Sequence, residues 1–286
     1  MKKVLIPLLI LTAALVFAGC GGSSSEDGGE SAAAKKTEVK VFAAASMQSS
    51  LEELEKTFEA KNPDVDILLN CDSSGTLKTQ IEEGAPCDVF FSAAQKQMNE
   101  LEEQGMVVKG TRQNVLNNQL VVITQPDSDT AVTGLETLKD AKSIALADGS
   151  VPVGKYTRQA LMNLGILEKT ETPEEVTTQQ VSDALGGVEI SEQGNVSKVL
   201  TAVEEGSCEV GTVYLSDTYG HEDKVKILEE VDYEVTGDII YPIAQIVNKD
   251  ADDAETEAAA AVEEWFTNDD AKALYEKHLF DVNVEK

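Results

Sequence analysis

Four short segments of this sequence place a small or hydroxyl-bearing residue where a predicted strand gives way to a predicted helix. These residues are Ser46 after VFAAA, Ser74 in DSSGTLK, Val153 in SVPVGKY and Val196 in QGNVSKV. The first turn of a helix has unpartnered backbone N–H groups and about half a positive charge. Several such turns directed at one point bind a small anion without lysine or arginine. Ser46 and Ser74 add hydroxyl donors, and the alanines before Ser46 leave room for an oxyanion to approach the backbone.

Each of these positions also has a simpler explanation. Serine and asparagine are ordinary N-cap residues, and alanine packs well against a neighbouring helix. A hydrolase with Ser46 as its nucleophile is a further alternative. A nucleophile elbow has glycine on both sides of the serine, where this chain has Ala44 and Gln48. It also needs a positioned base, but His221 lies in an acidic loop and His278 in the last predicted helix. We therefore predict that the chain is not an enzyme.

The elements that position these residues follow an α/β pattern. From residue 37 onward, short β-branched runs alternate with longer amphipathic runs, which predicts βα units and parallel sheets. One set is formed by the strands EVKVFA, VDILLN and CDVFFSA with the helices that follow them. A second set contains SIALADG, a helix from Pro152 to Leu164, the helix VSKVLTAVEEG and the strand CEVGTVYLS. The apolar segments QLVVITQ and IIYPIAQIV are predicted to cross between the two sets.

Two sets of βα units joined by two crossing segments predict two lobes with a cleft between them. Lobe I is predicted to comprise residues 37–118 and 243–286, and lobe II residues 119–242. Ligands of α/β sheets bind beyond the carboxyl ends of the strands, and a hinged cleft closes over a small ligand. The four helix starts are therefore expected to face this cleft.

Composition excludes several classes of partner. The chain has 286 residues, 42% of them hydrophobic, and a formal net charge of −29. This length is ample for a globular core, whereas the charge repels nucleic acid across most of the surface. Any small anion must therefore be held by local donors. We expect no cofactor.

The N-terminal segment is predicted to be an export signal rather than part of the fold. Lys2 and Lys3 precede a long apolar run that ends in FAGC. This ending resembles the lipobox of bacterial lipoproteins and predicts a signal peptide over residues 1–19 with lipidation of Cys20. An ordinary signal peptide or a single anchor helix is the alternative. Residues 20–36 are rich in Gly, Ser and charge, which is typical of a flexible tether.

The other cysteines, Cys71, Cys87 and Cys208, have neither CxxC nor metal-ligand spacing. We predict that they are small buried residues near strand ends, with a single disulfide as the alternative. No metal is expected to be coordinated directly by the protein.

Several segments resemble the periplasmic molybdate-binding protein of ABC transporters, in that family's order. They are FAAASM, SSGTLKTQIEEGAPCDVFFSAAQKQM, TRQNVLNNQLVVI, VPVGKYTRQAL and EVGTVYLSDT. The resemblance covers most of residues 38–280, and GAPCDVFFSA and VPVGKY are its most specific parts. It implies a type II periplasmic binding protein fold whose ligand is molybdate or tungstate.

The same resemblance implies a ligand set. In that family, two serine hydroxyls, two backbone N–H groups and a tyrosine hydroxyl hold the oxyanion. On this chain they correspond to Ser46, Ser74, the N–H groups of Val153 and Val196, and Tyr214. Residues 166–194 form a longer, acidic segment than the family has, so Val196 is assigned from the match at NVSKVLTAVEEG. We expect this segment on the surface of lobe II.

The function implied is capture of molybdate or tungstate outside the cytoplasm by a lipid-anchored monomer, which delivers it to an ABC permease with a cytoplasmic ATPase. Selection against sulfate would come from the longer metal–oxygen bonds of molybdate. Phosphate would be disfavoured because its proton needs an acceptor, although Asp72 and Asp148 lie near these loops. Two alternatives stay open: a lipid-anchored oxyanion sensor, and a binder of another tetrahedral oxyanion such as sulfate.

Overall fold

The computed structural model describes residues 36–284. The predicted signal peptide, Cys20 and nearly all of the predicted tether lie outside these residues. The described strands are β1 Thr37–Ala44, β2 Val65–Asp72, β3 Val89–Phe91, β4 Gln113–Leu116, β5 Leu120–Thr124, β6 Ser143–Ala147, β7 Glu189–Gln193, β8 Val210–Tyr214, β9 Lys226–Glu230 and β10 Tyr241–Gln245. The described α-helices are α1 Gln48–Lys61, α2 Ser74–Glu82, α3 Gln95–Glu103, α4 Pro152–Asn163, α5 Thr178–Ala184, α6 Val196–Glu204, α7 Tyr233–Thr236, α8 Asp253–Thr267 and α9 Asp269–Lys277.

These strands form two mixed sheets of five strands each, which confirms the predicted α/β class. The first sheet has the order β2-β1-β3-β10-β4, and the second has the order β7-β6-β8-β5-β9. In the first sheet β1 is parallel to β2 and β3, whereas β10 is antiparallel to its neighbours. In the second sheet β6 is parallel to β7 and β8, and β5 is antiparallel to its neighbours. Each sheet thus combines parallel βα units with one reversed strand.

Helices cover both faces of the first sheet, which explains why β3 and the second half of β1 are apolar throughout. In α1, the buried residues Leu51, Leu54 and Phe58 have the spacing of one helical face. On the opposite face, α2 and α3 form a smaller core with Phe42 and Phe90. Strands buried on both faces lose the alternation of apolar and polar residues. The run VFAAA is therefore a buried strand end and not an amphipathic segment.

The chain passes between the sheets twice. It leaves the first sheet after β4 and enters the second at β5, and it returns from β9 through α7 to β10. The predicted boundary between 118 and 119 falls in the first crossing. The boundary between 242 and 243 falls inside β10, because Tyr241 and Pro242 already pair with β4. The first sheet therefore resumes two residues before the predicted lobe, and the division into lobes stays a prediction.

The sequence pattern did not predict three of the strands. Strands β4, β7 and β9 are short and at least half polar, so they lack a recognisable apolar run. Two of these, β7 and β9, form the edges of the second sheet, where one side is open to solvent. The acidic segment 166–194 is therefore more than a surface insertion, because it supplies α5 and the edge strand β7.

The three described cysteines are free thiols, with Cys87 and Cys208 buried and Cys71 partly exposed. No disulfide is therefore present among residues 36–284. The prediction of small buried residues holds for Cys87 and Cys208 but not for Cys71. Over the same residues, no helix combines the length and apolar character needed to cross a membrane.

Candidate functional site

The five predicted site residues line one small cavity between the two sheets. Its lining residues come from the carboxyl ends of strands in both sheets, where α/β proteins bind ligands. They are Ala44, Ala45, Ser46, Asp72, Ser73, Ser74, Ala93, Val151, Pro152, Val153, Val196 and Tyr214. The volume open to the centre of a water-sized sphere is about 10 Å³. This is room for one water or one small ion.

Helix starts converge on this cavity. Ser74 and Val196 are the first residues of α2 and α6, and Val153 is the second residue of α4. Ser46 lies in a single 3₁₀ turn, Ala45–Met47, that continues into α1. The cavity therefore collects the positive ends of four helical segments, while none of the described residues lining it is lysine or arginine.

The N-cap alternative does not hold for Ser46 and Ser74. The side chain that caps α2 is that of Ser73, whose Oγ accepts from the Thr76 N–H at 3.1 Å. No side chain of residues 36–284 caps the 3₁₀ turn of Ser46 or the first turn of α4. The N–H groups of those turns are therefore left for another acceptor.

Both serines are buried and already accept or share a hydrogen bond with the protein. The Oγ of Ser74 accepts from the backbone N–H of Ala93 at 2.9 Å, so its own hydrogen is left to donate. The Oγ of Ser46 lies 2.9 Å from the Oη of Tyr241. Neither serine has a histidine partner in the described chain, which counts against Ser46 as an activated nucleophile.

Tyr214 carries the clearest sign of an absent partner. Its side chain is only 1% exposed, and its hydroxyl has no hydrogen-bond partner among the described residues. Burial raises its pKa well above the usual value, so the hydroxyl stays protonated. A buried polar group without a partner costs about 1–3 kcal/mol. An oxygen acceptor in the cavity would remove that cost.

One carboxylate lies at the edge of the cavity. Asp72 Oδ1 accepts from the Ser73 N–H at 2.7 Å and from Asn195 Nδ2 at 3.0 Å. Asn195 caps α6, the helix that follows strand β7 of the second sheet, so its contact with Asp72 joins the two sides of the cleft. Asp148 does not line the cavity, because its Oδ1 accepts from the backbone and side chain of Ser150.

Two further contacts close the cleft beside the cavity. Lys96 of α3 forms an ion pair with Glu174 of the acidic segment. Gly75 lies so close to the other side that a Cβ at this position would be 2.9 Å from the carbonyl oxygen of Ser150. The glycine after Ser74 therefore permits the close approach of the two sides.

A buried arginine holds the start of α4. The guanidinium of Arg158 donates to the carbonyl oxygens of Ala147, Gly154 and Val176 at 2.7–2.9 Å. These oxygens belong to the end of β6, the first turn of α4 and the acidic segment. Arg158 therefore fixes the turn that carries Val153 against the rest of the second sheet. Sequence analysis missed this role because it depends on burial.

Asp217 lies beside the site without lining the cavity, and it is half-buried with one backbone contact. Its carboxylate accepts from the Tyr214 N–H at 2.9 Å, and burial raises its pKa to about 7. The folded state therefore binds this proton more tightly than the unfolded chain, whose aspartate pKa is about 3.9. The contribution of this bound proton to the free energy of unfolding is present at low pH and is lost as the pH rises from about 4 to about 7.

We expect Asp217→Asn to stabilise the protein relative to the wild type more at pH 8 than at pH 5. The difference between the two pH values should be on the order of 2 kcal/mol in the free energy of unfolding. Urea unfolding of both proteins at each pH measures it. A difference that does not change with pH would show that Asp217 stays ionised throughout.

No group of three or more His, Cys, Asp or Glu residues able to hold a metal ion occurs within residues 36–284. His221 pairs with Glu204. His278 is buried between Ser49 and Tyr219, so neither histidine faces the cavity.

Comparison with known proteins agrees with this arrangement. A model of the bacterial extracellular solute-binding protein family matches residues 39–281. YvgL of Bacillus subtilis, named as an ABC transporter substrate-binding lipoprotein, is 31% identical over 280 residues, which is 98% of each chain. The molybdate-binding protein ModA of Haemophilus influenzae is 31% identical over 225 residues, which cover 76% of this chain and 81% of ModA.

A solved structure extends the similarity to the fold. It is the substrate-binding domain from Clostridium difficile described as that of a molybdenum ABC transporter. The TM-score is 0.61 at 32% identity, with 87% of this chain and 99% of that chain covered. The predicted resemblance and the type II periplasmic binding protein fold are both confirmed.

Proposed function

Because this chain belongs to the family of bacterial extracellular solute-binding proteins, we propose that it captures molybdate or tungstate and delivers it to an ABC permease. The observation that carries this proposal is the convergence of five predicted donors on one ion-sized cavity. The unpartnered hydroxyl of Tyr214 adds direct support, because it needs an acceptor at that point. The family consists of solute-binding proteins and not of enzymes.

The proposed ligand set consists of neutral donors. The hydroxyls of Ser46, Ser74 and Tyr214 and the N–H groups of Val153 and Val196 surround the oxyanion. A dianion that enters a closed cavity loses its water, and burial of an unpaired charge costs many kcal/mol. Neutral donors at helix starts replace those hydrogen bonds without an adjacent cation.

Selectivity follows from size and from protonation. Donors placed for the longer metal–oxygen bonds of molybdate or tungstate do not all reach the smaller sulfate ion. Phosphate keeps a proton near neutral pH, and that proton needs an acceptor. Among the described residues, Asp72 is the one carboxylate that lines the cavity, and its Oδ1 is already engaged by Ser73 and Asn195.

Calorimetry of the exported domain with molybdate, tungstate, sulfate and phosphate tests the proposal. We expect one ion of molybdate or tungstate per chain, and binding of sulfate and phosphate roughly tenfold or more weaker. The size-based reason fails if sulfate binds as tightly as molybdate. Preference for phosphate would mean that Asp72 accepts the ligand's proton.

The cleft is proposed to close by hinge motion of lobe I, residues 37–118 and 243–286, against lobe II, residues 119–242. The contacts of Asp72 with Asn195 and of Lys96 with Glu174 join residues from opposite sides and would break on opening. A closed monomer with one ion would be the form presented to the permease.

Membrane attachment is proposed to occur through a lipid on Cys20. The ending FAGC before a Gly/Ser-rich tether supports it, as does the similarity to a protein named as a lipoprotein.

We expect Cys20→Ser to release the protein from membranes without changing its anion affinity, because the tether separates the lipid from the cleft. Fractionation in high salt and calorimetry measure the two properties. Cys71→Ser is the matched control, because it removes a partly exposed thiol of the folded domain and should leave the protein attached. Retention of the Cys20→Ser protein on the membrane would contradict the lipid anchor.

A further inference from the structure

The hydroxyl of Ser46 is the end of a buried chain of hydrogen bonds that sequence analysis did not identify. Its Oγ lies 2.9 Å from the Oη of Tyr241, a residue with no exposed side-chain surface. The same Tyr241 oxygen lies 3.0 Å from Nδ2 of Asn118. Ser46, Tyr241 and Asn118 thus form a continuous series that ends at the cavity.

The direction of every proton in this series follows from its partners. The Oδ1 of Asn118 accepts from the backbone N–H of Gln119 at 2.9 Å, which fixes the orientation of the amide. Its Nδ2 then faces Tyr241 and Ser216, and an amide nitrogen only donates. The Tyr241 oxygen therefore accepts from Asn118.

Tyr241 has one hydrogen, and burial keeps its hydroxyl protonated by raising its pKa. The Asn118 atom that faces Tyr241 is Nδ2, which cannot accept, so this hydrogen goes to Ser46 Oγ. Tyr241 then takes one lone pair of the Ser46 oxygen, and the hydrogen of Ser46 must point away from Tyr241, toward the cavity. Ser74 is oriented in the same way, because its Oγ accepts from the Ala93 N–H and its own hydrogen is left to donate.

We propose that Tyr241 and Asn118 are positioning residues that direct the Ser46 hydrogen into the cavity, and thereby select fully deprotonated oxyanions over protonated ones. This inference rests on the proposed function and explains how the site distinguishes anions of similar size. A free serine hydroxyl rotates and accepts a proton from a ligand as readily as it donates one. A serine that already accepts from a tyrosine has one lone pair left and a hydrogen directed away from the tyrosine, so donation to the ligand is favoured.

The series Ser46–Tyr241–Asn118, called the relay below, also lies where the chain crosses between the sheets. Asn118 is in the first crossing and Tyr241 begins β10 after the second. The adjacent Asn117 joins the same two segments, because its Oδ1 accepts from the Ile239 N–H at 2.7 Å. The orientation of the Ser46 hydroxyl is therefore fixed by the crossing segments and not by the loop that carries Ser46.

The test compares Tyr241→Phe, Ser46→Ala and the double variant, using molybdate, sulfate and phosphate at a pH where phosphate keeps one proton. We expect Tyr241→Phe to weaken molybdate binding roughly tenfold and to leave phosphate binding equal or stronger, so that the ratio of the two Kd values falls. In the Ser46→Ala background, Tyr241→Phe should change the molybdate Kd less than about twofold, because the relay acts through Ser46.

Tyr275→Phe is the matched control. Tyr275 is another fully buried tyrosine, it packs against the same Phe280, and its hydroxyl donates to the Phe266 carbonyl at 3.1 Å. It does not line the cavity, so its variant should bind as the wild type does. The relay would be overturned if Tyr275→Phe weakened molybdate binding as much as Tyr241→Phe does. It would also be overturned if Tyr241→Phe weakened binding tenfold in the Ser46→Ala background, because Tyr241 would then act through packing.

The relay and the proposed function fail separately. If the wild type prefers sulfate to molybdate, the proposed function fails, and the coupling between positions 46 and 241 is measured with sulfate instead. If the wild type prefers protonated phosphate, the site does not select deprotonated anions, and the relay is overturned even if Asp72 is the group that accepts the proton. If it binds none of these anions, NMR of the free protein decides the relay: a slowly exchanging Tyr241 hydroxyl proton close to Ser46 supports it, and its absence overturns it.

Discussion

Replacing Ser46 and Ser74 together by alanine is expected to weaken molybdate binding by roughly a hundredfold to ten-thousandfold. Each substitution removes one hydroxyl donor and leaves the backbone N–H in place. Hydrogen bonds to charged groups contribute about 1.5 to 3 kcal/mol each, and the two serines come from separate loops. Either single variant, or Tyr214→Phe, should lose roughly tenfold to a hundredfold. Calorimetry measures these losses, and thermal unfolding checks that the fold is retained.

The contrast with the backbone donors makes this prediction specific. Val153→Ala and Val196→Ala leave their N–H groups intact, so both variants should bind nearly as the wild type does. A loss at Val153→Ala equal to that at Ser46→Ala would show that side-chain packing, and not helix-start N–H groups, dominates there. Unchanged binding by the double serine variant would remove both hydroxyls from the ligand set.

Gly154→Ala is expected to abolish most molybdate binding, with a loss of roughly a hundredfold or more, although residue 154 does not line the cavity. A Cβ at this position would lie 2.1 Å from the carbonyl oxygen of Asp148 and 2.5 Å from that of Ala147. Both atoms are backbone, so the first turn of α4 must move away from the end of β6. The N–H of Val153 moves with it and leaves its proposed position at the ligand.

The same displacement should lower the free energy of unfolding by about 1–3 kcal/mol, as overpacking in a buried site does. Gly194→Ala is the matched control, because a Cβ there would meet only the end of the Lys198 side chain, at 3.7 Å. That variant lies two residues before Val196 and should keep both affinity and stability. Normal binding by Gly154→Ala would mean that the start of α4 contributes nothing to anion capture.

Features that depend on near neighbours in the chain were predictable. The first turns at Ser46, Ser74, Val153 and Val196 follow from an apolar run that ends in small or polar residues before a helical pattern. Helix–strand alternation likewise predicted the α/β class, which two mixed five-stranded sheets confirm. The resemblance to molybdate-binding proteins added Tyr214, which no local pattern singles out.

Short polar strands were not predictable in this way. Strands β4, β7 and β9 are held by pairing with neighbours that are distant in the chain, and edge strands need no apolar face. The end of the second crossing was not predictable from local sequence either, because Tyr241 joins the first sheet by pairing with Leu116, which is distant in the chain.

The sequence by itself determined which residues carry donors and where each helix begins, because caps, turns and periodicity act over a few residues. Only the tertiary structure decided which donors are free to bind a ligand. Ser73 and Ser74 are adjacent, yet one caps α2 and the other takes the N–H of Ala93. Tyr241 lies 195 residues from Ser46 and still orients its hydroxyl. The direction of a buried proton depends on every neighbour of the chain in space, and those neighbours exist only once the two sheets are in contact.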